Sequence, residues 1–218
     1  LELTEQGTFR VYSGVPDMGQ GNASAYLKLA AEELCQEAGA VEIVQPDTGR
    51  CLPSGSSAAS RTTYSFGNAL LKACAAMREK LLVRAAMVLL ADELAALELG
   101  PGCVEHRASG RFVELARLAP MMAPEDRLCV AETLMPVAQD PPRTGTAFRL
   151  GFPHLMFSYA AHLARVEVDE LTGAVRVADY LAVTDGGRVL SPQRFHQQIE
   201  GGVAQGLGYA LMEEVAVD

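Results

Sequence analysis

The pattern of apolar and polar positions changes period several times along this chain, and each change predicts an element. Residues 8–13 (TFRVYS) alternate and predict a strand. They run into a glycine-rich turn at 14–21 (GVPDMGQG). A helix is predicted after it, over about 23–38, with Leu27, Ala30, Ala31 and Leu34 on one face. Residues 41–44 predict a short strand, and 47–60 (DTGRCLPSGSSAAS) a loop. Phe66, Leu70, Cys74, Met77 and Leu81 recur at helical spacing, so a long helix is predicted over 64–82 and a second over 84–95. Pro101-Gly102 breaks the chain within a turn and hairpin region at 100–110. A short helix at 113–118 and a strand at 128–134 follow. Residues 139–151 are polar, contain Pro141-Pro142 and predict a loop or linker. The clearest hairpin pairs 161–169 with 174–184. Both arms alternate with period two around Leu171-Thr172-Gly173. Residues 191–214 then predict a helix, with Pro192 in its first turn.

These elements predict an α+β fold, with helices packed on mixed or antiparallel sheets in two lobes: a first over 1–140 and a second over 141–218. With 218 residues, 49% of them apolar, the chain has enough material for a real core. Its formal charge of −9 argues against a nucleic-acid partner, because a phosphate backbone needs clustered Lys and Arg. The longest apolar run, 85–91, ends at Asp92 and Glu93, well short of the roughly 18 residues of a membrane helix. The chain opens at Leu1, directly on strand-like sequence, so a longer parent protein is expected.

Cys35, Cys51, Cys74, Cys103 and Cys129 are widely spaced, with no zinc or iron–sulfur pattern. Scattered thiols in a reducing cytoplasm are the expectation. His106, His154, His162 and His196 form no metal-ligand spacing, and no nucleophile elbow occurs. Glu32-Glu33 and Glu213-Glu214 fall on predicted helices as solvated pairs, and Asp169 and Asp185 at strand ends as turn residues.

Three segments carry candidate binding chemistry. Gly19, Gln20 and Gly21 lie between a strand and a helix. Glycines there let a ligand approach the backbone, and a helix start offers N–H groups and a positive dipole end. The Gln20 amide both donates and accepts, which suits the amide-like edge of a heterocycle. Residues 56–61 (SSAASR) offer hydroxyls and N–H groups for a phosphate or polar edge. Gln198 stands on a helix that also holds Gly201, Gly202, Gly206 and Gly208. Each glycine there costs ~1 kcal/mol relative to Ala, which predicts close packing on another backbone or a ligand. Taken singly, the three segments are equally an ordinary turn, a Ser-rich loop and a closely packed helix.

Taken in order, they resemble one family. GVPDMGQGNASAYLKLAAEEL is similar to the MGQG segment and following helix of the xanthine dehydrogenase/aldehyde oxidase family of molybdenum hydroxylases. DTGRCLPSGSSAASRTTYSFGNALLKAC resembles the next family block, with its opening DT, its Ala-Ala-Ser and its G-x-A helix start. VEVDELTGAVRVADYLAVTDGGRVLSPQRFHQQIEGGVAQGLGYALMEE resembles the third, including the QIEGG helix. Asp17 stands where the family often has Glu, Lys28 where Gln is frequent, and Ser191 where Asn often precedes the Pro.

The resemblance implies a C-terminal part of a molybdopterin-binding subunit, whose parent protein is a molybdopterin-dependent oxidoreductase. It would hydroxylate an aldehyde, purine or N-heterocycle with oxygen from water. It implies molybdopterin with Mo, commonly the cytosine dinucleotide form in bacterial members, and iron–sulfur and FAD groups on other domains or subunits. By position, Gly19, Gln20 and Gly21 border the pterin or its nucleotide tail. Ala58, Ala59 and Ser60 supply backbone and hydroxyl contacts, and Gln198 hydrogen-bonds the pterin. The family's general-base Glu lies beyond the QIEGG helix and is expected outside these 218 residues. Two further readings stand beside this one: a non-catalytic or degenerate cofactor-binding or structural module of a multi-subunit complex, and a phosphate- or nucleotide-binding module unrelated to Mo.

Overall fold

Strand β1 (Glu2–Leu3) pairs antiparallel with β2 (Phe9–Tyr12), and β2 pairs parallel with β3 (Val41–Val44), making a mixed sheet of order β1-β2-β3. Parallel pairing needs a crossover, and helix α1 (Asn22–Glu33) provides it. The computed structural model describes residues 1–55, 57–58, 60–133 and 158–216. They fall into two units, Leu1–Met135 and Pro136–Asp218.

In the first unit, α2 (Thr62–Leu89) runs for 28 residues. Leu70, Cys74, Met77, Leu81, Ala85 and Leu89 are buried along it at helical spacing. β4 (Leu97–Gly100), β5 (Cys103–His106) and β6 (Phe112–Glu114) form an antiparallel sheet, followed by the one-turn helix α3 (Leu115–Leu118). Phe9 and Val11 of β2, Tyr26 of α1, Met77 and Leu81 of α2, Leu99 and Val104 of the second sheet and Leu118 of α3 share one core. Gln36 staples this core from inside. Its Nε2 donates to Leu34 O at 2.7 Å and Gly100 O at 2.8 Å, and its Oε1 accepts from Gly102 N at 2.8 Å.

The second unit holds the predicted hairpin, β7 (Tyr159–Val168) and β8 (Val175–Asp185), with a register shift at Arg165/Val166. Asp169 shapes its turn, accepting from Leu171 N at 2.8 Å and Thr172 N at 3.0 Å. Helix α4 (Pro192–Leu211) follows, and its Phe195 ring lies against Gly186. The α+β class is therefore correct.

Four details differ from the sequence reading. The short helix predicted at 113–118 is strand β6 through Glu114 and helix only over Leu115–Leu118, and the helix predicted over 23–38 ends at Glu33. The predicted helices at 64–82 and 84–95 are one helix, since no glycine or proline interrupts 82–84; α2 stops at Leu89, where Leu90 turns left-handed with φ 52°. The strand predicted at 128–134 reduces, among its described residues, to a single bridge from Leu128 to Glu2. The linker predicted at 139–151 lies outside the described residues. Among the described residues, no helix is long and apolar enough to cross a membrane.

Candidate functional site

The GVPDMGQG turn is built around one carboxylate. Asp17 Oδ1 accepts from Gly19 N at 3.0 Å and Gly21 N at 3.1 Å, and Oδ2 accepts from Ala23 N at 3.0 Å. The chain can curl around it because Gly19 and Gly21 have φ of 108° and 80°, which residues bearing a Cβ rarely adopt. Gln20 closes the loop on itself: Oε1 accepts from Met18 N at 2.7 Å, and Nε2 donates to Pro16 O at 3.0 Å. Asn22 Nδ2 adds a bond to the same carbonyl at 3.1 Å. A Cβ on Gly19 would meet nothing within 4 Å, and Met18 is largely exposed. The outer side of this loop is open to an incoming group.

This geometry corrects one expectation. The start of α1 is a poorer anion site than the turn alone suggests, because Asp17 already occupies the N–H groups of Gly21 and Ala23 and brings its own negative charge. Asp17 and Asn22 are the residues that the sequence reading missed. The available signal was an Asp just ahead of two glycines and a helix start, a common capping arrangement. Below the loop, Tyr26 is fully buried, and neither its hydroxyl nor Asn22 Oδ1 meets hydrogen-bond geometry with any partner. Burial pushes the Tyr26 phenol up to about 12; the Asp17 charge adds to the shift and the nearby Asn22 side chain opposes it.

The second loop ends where α2 starts. Ser60 has φ 53°, a left-handed conformation for a residue with a side chain, and such outliers cost of order 1 kcal/mol and concentrate at functional sites. Ala58 and Ser60 are both exposed. Arg61 N donates to Ala58 O at 3.5 Å, and the Ser57 and Thr62 hydroxyls are 3.1 Å apart. The Arg61 side chain, at the N-cap, makes no capping hydrogen bond to the first turn of α2. Ser56 and Ala59 are outside the described residues.

The tertiary fold brings these two loops together. Tyr26 and Phe66 pack with ring centroids 4.5 Å apart and planes tilted by 43°, and each lies one turn inside its helix. The starts of α1 and α2, and the loops before them, therefore share one end of the helix pair. A second contact fixes the arrangement: a Cβ on Gly14 would lie 2.4 Å from Leu52 O and 3.0 Å from Ser54 Oγ. The base of one loop thus sits directly on the other. A cavity of about 830 Å³ opens at this junction, lined by Gly14, Arg50, Leu52, Ser54, Ser65 and Phe66 among others. The hydroxyls of Ser54 and Ser65 are buried there without partners. Gly19–Gly21, Ala58 and Ser60 do not line it.

Gln198 belongs to the other unit, exposed in the second turn of α4. The close packing predicted from the α4 glycines is not found among the described residues, because a Cβ on Gly201, Gly202 or Gly206 would meet nothing within 4 Å. A Cβ on Gly208 would lie 3.3 Å from Glu213 Oε1 alone. Among the described residues, no cluster of three or more His, Cys, Asp or Glu could hold a metal ion.

Comparison with known proteins identifies this architecture. The family model described as molybdopterin cofactor-binding domain matches residues 1–218. A probable xanthine dehydrogenase component from Bacillus subtilis (strain 168) is 33% identical over 98% of this chain and 27% of its own length. An Escherichia coli (strain K12) protein described as "Probable hypoxanthine oxidase XdhD" is 30% identical over 100% of this chain and 21% of its own. In structure, CO dehydrogenase from Oligotropha carboxidovorans superposes with a TM-score of 0.77 at 21% identity, over 100% of this chain and 26% of that one. The chain thus spans about a quarter of the length of these relatives. It belongs to the molybdopterin cofactor-binding domain family.

Proposed function

We propose that this chain forms one side of the molybdenum-cofactor site in a multi-subunit hydroxylase or dehydrogenase, acting on an aldehyde, a purine or an N-heterocycle. When bound, molybdopterin with Mo supplies oxidation of a carbon centre with oxygen from water, and iron–sulfur and FAD groups on other domains or subunits serve electron transfer. The observation that carries this reading is the meeting of the two candidate loops at one end of α1 and α2.

The residues fit such a group in an oriented way. The Gln20 amide uses one N–H and one lone pair inside its loop, which leaves one donor and one acceptor for the amide-like edge of a pterin. Gly19 lets a flat ring approach the backbone without a Cβ in the way. The negative tail of a dinucleotide form, the cytosine dinucleotide being the one proposed, is disfavoured beside Asp17. It fits instead at the start of α2, with Ala58, Ala59, Ser60 and the Arg61 guanidinium. Gln198 would hydrogen-bond the pterin from α4. The first lobe, 1–140, carries the MGQG and AAS loops. The second, 141–218, carries the hairpin and the QIEGG helix, and both come from the later part of a cytoplasmic subunit.

The test is molybdenum content of the parent complex purified from its native source. About one Mo per copy of this chain, with releasable pterin, is the expected result, and Gln198→Ala should lower that occupancy. A well-folded complex without Mo or pterin would instead mark the chain as a non-catalytic, degenerate structural module.

A further inference from the structure

We propose that Asp17 is the positioning residue of the MGQG loop: its carboxylate pre-shapes the glycine backbone that Gln20 presents to the cofactor. The proposal rests on the reading of that loop as a cofactor loop.

The loop has no strand or helix ladder of its own to hold it. Its two glycines take left-handed conformations, and glycine gives up more conformational freedom on ordering than any other residue. Something must offset that loss, and the inward hydrogen bonds divide into two sets. The first set runs through Gln20, to Met18 N and Pro16 O. These bonds compete with any ligand, since the same amide is the group that would recognise it. The second set is independent of the ligand. Asp17 gathers the N–H groups of Gly19, Gly21 and Ala23, two, four and six residues ahead of it, on both carboxylate oxygens. A carboxylate has lone pairs enough for all three. Its charge at a helix start makes these the stronger class of hydrogen bond. When Gln20 turns toward a ligand, Asp17 still holds the backbone. Asn22 contributes its one bond to Pro16 O and none to the glycines.

The Asp17 charge also gives the loop a direction. It favours a neutral, hydrogen-bonding edge at Gly19–Gly21 and repels a phosphate. The loop is thereby selective for the ring end of an elongated, anionic-tailed cofactor.

The experiment compares the parent complex carrying Asp17→Ala, Asp17→Asn, Asp17→Glu or Gln20→Ala, expressed with limiting molybdenum. Molybdenum and releasable pterin per folded copy of the chain are measured beside the thermal midpoint. Expected is a loss of occupancy of roughly ten-fold in Asp17→Ala, equivalent to about 1.4 kcal/mol. Asp17→Asn should be intermediate, because it keeps one acceptor oxygen and loses the other. Asp17→Glu should restore occupancy close to that of the natural residue. Wild-type occupancy in Asp17→Ala with loss in Gln20→Ala would overturn the role of Asp17 and leave the loop reading intact. Wild-type occupancy in both would overturn the loop reading itself. Failure of Asp17→Glu to rescue, or a fall in midpoint with full occupancy of the folded fraction, would reduce Asp17 to a structural residue. If Asp17→Ala does not fold, Asp17→Asn decides: occupancy equal to wild type overturns the proposal.

Discussion

Gly14→Ala tests whether the two loops are seated on each other as described. The added Cβ would lie 2.4 Å from the Leu52 carbonyl oxygen, against about 3.4 Å where ordinary contact begins. The obstacle is backbone, so it cannot rotate away, and one loop must move by about 1 Å. Gly14 does not have a positive φ, so the penalty is steric alone. Overpacking of this kind costs typically 1–3 kcal/mol. Gly67→Ala is the internal control: in the same unit, its Cβ would meet Leu29 Cδ2 at an ordinary 3.7 Å. Inside a helix, replacing glycine with alanine gains up to ~1 kcal/mol. The two identical chemical changes should therefore have opposite signs. The chain contains no Trp, so urea unfolding is best followed by far-UV circular dichroism. With a slope of about 1–3 kcal/mol per molar, Gly14→Ala should lower the midpoint by roughly 1 M, and Gly67→Ala should leave it unchanged or raise it. Equal midpoints for Gly14→Ala and wild type would refute the loop contact. A loss in Gly67→Ala comparable to that in Gly14→Ala would refute the steric reasoning.

Two further predictions concern the frame. Gln36→Ala removes three hydrogen bonds in a buried position and leaves Gly100 O and Gly102 N without this partner. A loss of about 2–4 kcal/mol is expected, read as faster hydrogen exchange at the Gly102 amide; unchanged exchange there would sink the idea. In the hairpin turn, hydrogen bonds from the backbone N–H of Thr172, then of Leu171, hold the Asp169 carboxyl below its ordinary value of 3.8. The depressed group stabilises the turn above that ordinary value, and the contribution disappears as pH falls through the lower, folded value. Nuclear magnetic resonance of the Leu171 and Thr172 amides should show a midpoint below 3.8, and a midpoint at or above it would contradict the hydrogen bonding.

The amino-acid sequence alone determined the features whose signals are local. The β7–β8 hairpin follows from period-two alternation on both sides of a turn, and Pro192 marks the first turn of α4 because its missing N–H is unneeded there. The glycine loops were legible for the same reason, as were Asp169 and Asp185 as turn residues. The continuity of α2 was missed, although its buried stripe continues from Leu81 to Ala85 and Leu89 and no glycine or proline breaks the backbone there. The candidate site was half legible. Gly19, Gln20, Gly21, Ala58 and Ser60 could be chosen from sequence, but the contact between the loops that carry them depends on Tyr26 packing on Phe66 and on Gly14 seating under Leu52. Those are contacts between residues about 40 apart in the chain, and no local period encodes them. Asp17 carried a local signal, an Asp just ahead of two glycines and a helix start, but that signal does not name its partners. Its three acceptor bonds exist only after Gly19 and Gly21 reverse the chain around it, so its role belongs to the folded loop and to no residue in isolation.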